Sequence, residues 1–138
     1  MLFQETRARA YTVVNCHLNA LGPSEYRERQ ATELVDAFGD TQCLVVCGDM
    51  NDGEESAAVQ KLRDAGWADS MQGVEDRCTW TSNNPMSQGW MRVDDVCVDY
   101  VFHSADLKFR GGMCFNKPPF IVSDHMGVRA VLVHSPQV

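Results

Sequence analysis

The sequence predicts an α/β fold in which helices cover one face of a β-sheet. Three observations carry that expectation. Cys43–Cys47 (CLVVC) is a short, continuous apolar run broken by Gly48, as expected of a strand buried on both faces. Residues Ser24 to Phe38 repeat apolar side chains at helical spacing. The elements then follow the order β-α-β-α-β-β-β, which suits two helices packed against a sheet.

Taken in order, Ala10–Cys16 (AYTVVNC) is rich in β-branched and aromatic residues and reads as a strand. Leu2–Thr6 is expected to be its hairpin partner, turned through Arg7–Arg9. The first helix is expected over Glu25–Phe38, after Pro23 and a Ser24 N-cap and before Gly39. Tyr26, Gln30, Leu34 and Phe38 share one face of it, widened by Ala31 and Val35. A second helix is expected over Glu54–Ala65, closed by Gly66. Asp69–Arg92 is long and irregular, and loops of that length in a domain usually serve function. Val96–His103, Leu107–Phe115 and Gly127–His134 read as three further strands. A chain of 138 residues allows one domain, with a core large enough to need no disulfide or metal staple.

The charge balance narrows the function. Twelve Lys and Arg against 19 Asp and Glu give a net charge of −7. Affinity for polyanions comes mainly from Lys and Arg on phosphates, so duplex-DNA tracking is disfavoured. A nuclease with one local basic patch is not excluded. The six cysteines form no C-x-x-C pair and no zinc-framework spacing, so free thiols in a reducing compartment are expected. Residues 1–20 hold no uninterrupted apolar stretch like that of a secretory leader, which adds to an intracellular, cytoplasmic expectation. No apolar run approaches the length of about 20 residues that a membrane span requires.

Four clusters could carry chemistry. Gly48-Asp49-Met50-Asn51-Asp52 follows a buried strand, where α/β folds place ligand sites. In extended backbone Asp49 and Asn51 would point to the same side, suited to a hard cation or a phosphate oxygen. The same residues are also common in plain turns. Ser123-Asp124-His125 precedes the last strand, and His125 there could act as a base or stabilise phosphoryl charge, or the segment could be a solvated loop. Asp99 lies in the apolar strand VCVDYVF, where a carboxylate needs a partner unless it faces water; orienting an imidazole is a recurring use. His17, in NCHL, ends the first strand and suits either a rim or a site histidine. His103 and His134 end strands and receive no role.

The ordered set VVNCHL, GDMND, VDYVF and SDHMGV resembles the endonuclease/exonuclease/phosphatase family of divalent-metal-dependent phosphoesterases. Arg29 and Gln30, on the helix before GDMND, add to the likeness, which spans about residues 2–133. It implies half of a DNase I-like two-sheet sandwich with a mixed, mostly antiparallel sheet and two main helices. It also implies phosphodiester or phosphomonoester hydrolysis with Mg²⁺ or Mn²⁺. His125 would be base or charge stabiliser, oriented by Asp99. Asp49 and Asn51 would position water and phosphate, with Asp49 also near the metal. Asp124 would serve the metal, and His17 the phosphate or the leaving oxygen.

Family domains run to roughly twice this length, and the likeness is to their C-terminal half. Gln4-Glu5 looks like the family's metal-binding L-Q-E, but it stands too close to Asn15 and is read as strand. The resemblance therefore implies an incomplete metal site. It also implies an exposed sheet face, and with it self-association or pairing with an N-terminal half. A catalytically inactive remnant or interaction module of the same fold is the alternative. A third reading makes Cys16, His17, Cys43 and Cys47 a metal centre. The substrate would be a nucleotide, a nucleic acid or a phospholipid headgroup. Thr79-Trp80-Thr81 and Asn84-Pro85-Met86 resemble a loop of sphingomyelinase-like members, in which Trp80 and Trp90 could touch a base or lipid, or pack locally.

Overall fold

The computed structural model describes residues 10–87, 94–115 and 121–135. Along the chain run β1 (Thr12–His17), α1 (Ser24–Phe38), β2 (Leu44–Asp49), α2 (Ala57–Asp64), β3 (Ala68–Asp69), β4 (Asp99–His103), β5 (Leu107–Phe115) and β6 (Gly127–His134). The expected hairpin partner at Leu2–Thr6, Gln4-Glu5 and Trp90 lie outside the described residues.

One sheet has the order β1-β2-β4-β3. β1 and β2 are parallel, joined by α1 as crossover, while β4 is antiparallel to both β2 and β3. β5 and β6 form a separate antiparallel pair, and β6 packs against β4. The core lies between the first sheet and the two helices. Leu44, Val46, Tyr100 and Phe102 face Ala31, Ala58, Val59 and Leu62 there, all at or near zero exposure. Strand alternation sends Val13, Asn15, His17, Val45, Cys47 and Asp49 to the other face, which the helices do not cover.

Several boundaries differ from the sequence reading. α1 starts at Ser24 itself, with Pro23 at the cap position and no side-chain cap bond. Tyr26 is exposed, so the buried face is Ala31, Leu34, Val35 and Phe38. α2 starts at Ala57 instead of Glu54, because the Ser56 hydroxyl accepts from the Val59 N–H and sets the first turn. β4 starts at Asp99 instead of Val96. The Val96 carbonyl accepts from the Thr79 and Trp80 N–H groups, which holds that residue to the loop. β3 was not expected; it consists of two residues paired with Phe102 and His103.

Asp69 anchors the long stretch that follows. Its carboxylate side chain is 1% exposed and accepts from Arg63 (3.2 Å), Arg77 (3.1 Å) and the Met71 N–H (2.9 Å). A buried carboxylate is tolerable only with such partners.

Candidate active site

β2 and β4 end side by side, and their register pairs Asp49 with Asp99. Cross-strand partners project to one face, so the two carboxylates are neighbours by construction. Gly48 makes this end possible. Its φ is +127°, and a Cβ there would lie 1.9 Å from the Cys16 carbonyl oxygen of β1. Only glycine permits β1 and β2 to approach so closely.

His125 comes to the pair from the segment before β6. Its Nδ1 lies 2.7 Å from Asp99 Oδ2. An ionised carboxylate only accepts, so Nδ1 carries the proton and Nε2 is turned to the other side. There Nε2 stands 3.8 Å from Asp49 Oδ2, and His17 Nε2 stands 3.6 Å from the same oxygen. Neither is a hydrogen bond. A water or a phosphoryl oxygen placed between these groups would bridge them.

The electrostatics follow from this packing. The hydrogen bond to Asp99 is the main cause that raises the His125 pKa above the usual imidazole value, against desolvation; the charges of Asp99, Asp49 and Asp124 add to the rise. Burial is the main cause that raises Asp49 above the usual carboxylate range, opposed by the Asn51 N–H and assisted by the charge of Asp99. The sign for stability is therefore fixed. The His125–Asp99 bond contributes fully below the unfolded histidine value of about 6.5, and that contribution is lost as pH rises through the higher folded value. In an NMR titration of the four histidines, His125 is expected to have a midpoint above the usual histidine value of about 6.5. Asp99→Asn should lower it and flatten the pH dependence of stability. An unchanged midpoint in Asp99→Asn would show that the bond does not control the ring.

Asn51 departs from the sequence reading. It is not extended: its φ is +51°, and its backbone N–H donates to Asp49 Oδ1 at 2.7 Å. Its side-chain Nδ2 donates to the Leu18 carbonyl at 2.9 Å. The cluster is thus a turn that also orients Asp49, leaving Oδ2 toward the histidines. Asp124 accepts from Ser123 Oγ at 3.3 Å and stands outside the close group of Asp49, Asp99 and His125.

The sequence reading named Thr79 and Asn84 only for a resemblance to a loop and missed that they suspend this pair. Thr79 is fully buried; its Oγ1 accepts from the Val98 and Asp99 N–H groups at 3.2 Å each. Its carbonyl accepts from the Met126 N–H. One threonine thus braces both the Asp99 strand and the His125 segment. Asn84, 1% exposed, donates to the Ser123 carbonyl at 2.9 Å, and Ser123 Oγ accepts from the His125 N–H. Trp80 sets its ring edge-on to His125 at 4.9 Å, so it packs locally. The available signal was a run of small polar residues in a loop whose backbone had to be buried. On α1 the anchoring residue is Arg27, bound to Asp52 at 2.8 Å; Gln30 accepts from the Asn19 N–H, and Arg29 is exposed.

The third reading of the cysteines fails on geometry. Cys16 points to the core, where its thiol reaches Met50; Cys47 lies on the opposite face beside Asn15; Cys43 precedes β2 at its far end. None of the six cysteines is paired in a disulfide. No helix among the described residues is long and apolar enough to cross a membrane.

The solved structures similar to this chain share its fold. A functionally unknown conserved protein from Enterococcus faecalis is 17% identical at a TM-score of 0.74, over 95% of this chain and 53% of that one. TDP2 from D. rerio, complexed with single-strand DNA product, is 17% identical at 0.67, over 88% and 55%. A mannosyl-6-phosphatase from Bacteroides thetaiotaomicron is 18% identical at 0.63, over 88% and 50%. The chain thus spans about half the length of these structures, in agreement with half of a DNase I-like sandwich. No curated protein matches it in sequence. The model of the Endonuclease/Exonuclease/phosphatase family matches residues 1–125. With the His125–Asp99–Asp49 constellation lying at the strand ends, the chain belongs to the endonuclease/exonuclease/phosphatase family.

Proposed function

We propose that this chain carries the proton- and charge-handling half of a divalent-metal-dependent phosphoesterase site. The single observation that supports this best is the 2.7 Å His125–Asp99 bond, which turns Nε2 toward the half-buried Asp49 carboxylate. His125 acts as general base or, when protonated, as the group that stabilises charge on the phosphoryl oxygens. Asp99 fixes its tautomer and orientation. Asp49, oriented through the Asn51 N–H, positions the attacking water. His17, largely exposed beside Asp49, meets the substrate phosphate or the leaving oxygen.

The donor set fits Mg²⁺ or Mn²⁺ in kind. Mg²⁺ is held by one or two carboxylates and keeps several waters; Asp49, in the close group, would supply an oxygen here, with Asp124, which stands outside that group, as the second carboxylate. Bound there, the ion would polarise the phosphoryl group and stabilise the leaving oxygen. The substrate is a phosphoester of the nucleotide, nucleic-acid or phospholipid-headgroup class. Six cysteines with no disulfide among them suit a reducing, intracellular setting.

The chain reads as the C-terminal half of a catalytic domain, and the face of β1 that the described helices leave exposed supports pairing with a second copy or with an N-terminal half. Val13 is 64% exposed there, and Tyr11 just before it 51%. Sedimentation at tens of micromolar is expected to show association; a monodisperse monomer would overturn that expectation. The activity is tested by hydrolysis of a chromogenic phosphodiester in EDTA, Mg²⁺ or Mn²⁺. Metal-dependent turnover lost in His125→Ala supports the reading. No turnover from folded protein, alone or with an N-terminal half restored, favours the inactive module.

A further inference from the structure

The opposite end of β2 holds a second cluster, six residues and therefore about 20 Å from Asp49 along the strand. Cys43, just before β2, is 8% exposed. Its thiol lies 3.2 Å from Asp106 Oδ2, in the turn between β4 and β5. The same sulfur lies 3.7 Å from Nε2 of His134, the last residue of β6. One ligand atom from each of the three residues lies within 4.8 Å of the others.

We propose that Cys43, Asp106 and His134 form a zinc site that clasps the two sheets together. The distances suit the ion. With Zn–S about 2.3 Å and Zn–N or Zn–O about 2.0–2.2 Å, a tetrahedron has S···N and S···O edges of about 3.5–3.6 Å. The observed edges, 3.7 and 3.2 Å, bracket that value. The donor types select zinc over the hard cation of the active site, since a thiolate with an imidazole suits a softer metal than Mg²⁺. Three protein ligands leave a fourth position for water.

The surroundings hold the ligands in place. Asp106 also accepts from the Cys43 N–H at 3.0 Å and from Ser104 Oγ at 2.6 Å, so its carboxylate is already oriented. The Ser135 N–H donates to the Asp106 carbonyl, which ties the end of β6 to that turn. The Tyr11 ring packs on His134 at 5.1 Å. When zinc enters, the Cys43 S–H bond breaks and its proton goes to the buffer. The sulfur–metal bond replaces the thiol's contact with Asp106, and no other bond of that carboxylate is lost. Affinity should therefore fall as the pH is lowered.

The test uses the reduced full chain with zinc chloride in excess Mg²⁺, which occupies hard sites. Alkylation of each cysteine is mapped by peptide mass with and without zinc, and zinc binding is measured by calorimetry. One equivalent is expected, with Cys43 alkylation slowed at least tenfold. Cys43→Ser and His134→Gln should each weaken binding by more than about 100-fold, because even outer-shell changes cost about 10–100-fold. Protection that falls on the Cys78–Cys97 pair, whose sulfurs stand 3.0 Å apart, or on Cys16 and Cys47 instead, would overturn the assignment. So would unchanged affinity in Cys43→Ser. If that variant does not fold, the mapping on the unaltered chain decides: Cys43 alkylated as fast with zinc as without refutes the site.

Discussion

Replacing His125 with alanine is expected to lower metal-dependent phosphodiester hydrolysis by about 10²–10⁴-fold, or about 3–5 kcal/mol of barrier. The size follows from its place. The ring stands at the centre of the group, bonded to Asp99 on one side and facing Asp49 on the other. It is still 22% exposed, so its removal opens the site more than it empties the core. His125→Gln, which retains bulk, should lose nearly as much. His17→Ala should lose far less, since that side chain is 68% exposed and makes no hydrogen bond to Asp49. Turnover with Mg²⁺, measured for the three variants beside the unaltered chain, gives the order. If His17→Ala proved the worst, the assignment of the two histidines would have to be exchanged.

Phe102→Ala is expected to cost about 3–5 kcal/mol of stability. Phe102 is fully buried in β4, paired across to Val46 and Asp69, and its ring stacks on Tyr100 at 5.4 Å. Domains of this kind are stable by about 5–15 kcal/mol, so the change removes between about a fifth and all of the margin. Urea unfolding followed by tryptophan fluorescence should show the midpoint fall sharply. Val13→Ser, on the exposed face of β1, should move it by less than about 0.5 kcal/mol in monomeric protein. Comparable losses at the two positions would mean that the β1 face is covered in solution.

The sequence revealed what is written locally. CLVVC read as a strand buried on both faces, and β2 is buried on its helix side and half-buried on the other, while the bounds of β5 and β6 agree with the expected Leu107–Phe115 and Gly127–His134. Asp99, Asp49 and His125 were legible because charged residues beside apolar strands need a reason. What could not be read was set at a distance. β3 is two residues long and exists only because β4 lies next to it. Thr79 gains its role from Asp99 and Met126, 20 and 47 positions away. At Asn51 the sequence left extended backbone and a plain turn both open, and the turn is what forms. Cys43 was grouped with Cys16, His17 and Cys47, whereas its partners in space, Asp106 and His134, lie 63 and 91 residues along the chain.

The central position of β2 has a kinetic consequence. Its parallel partner β1 precedes it across a whole helix, and its antiparallel partner β4 arrives some fifty residues later. Chains dominated by such distant pairings fold over about milliseconds to seconds, since loop closure must precede any gain from contact. The two helices form from neighbours and need not wait. Asp99 and His125 meet only once the strands have closed and a further 26 residues have been laid down. The His125–Asp99 bond is therefore expected to form late in folding.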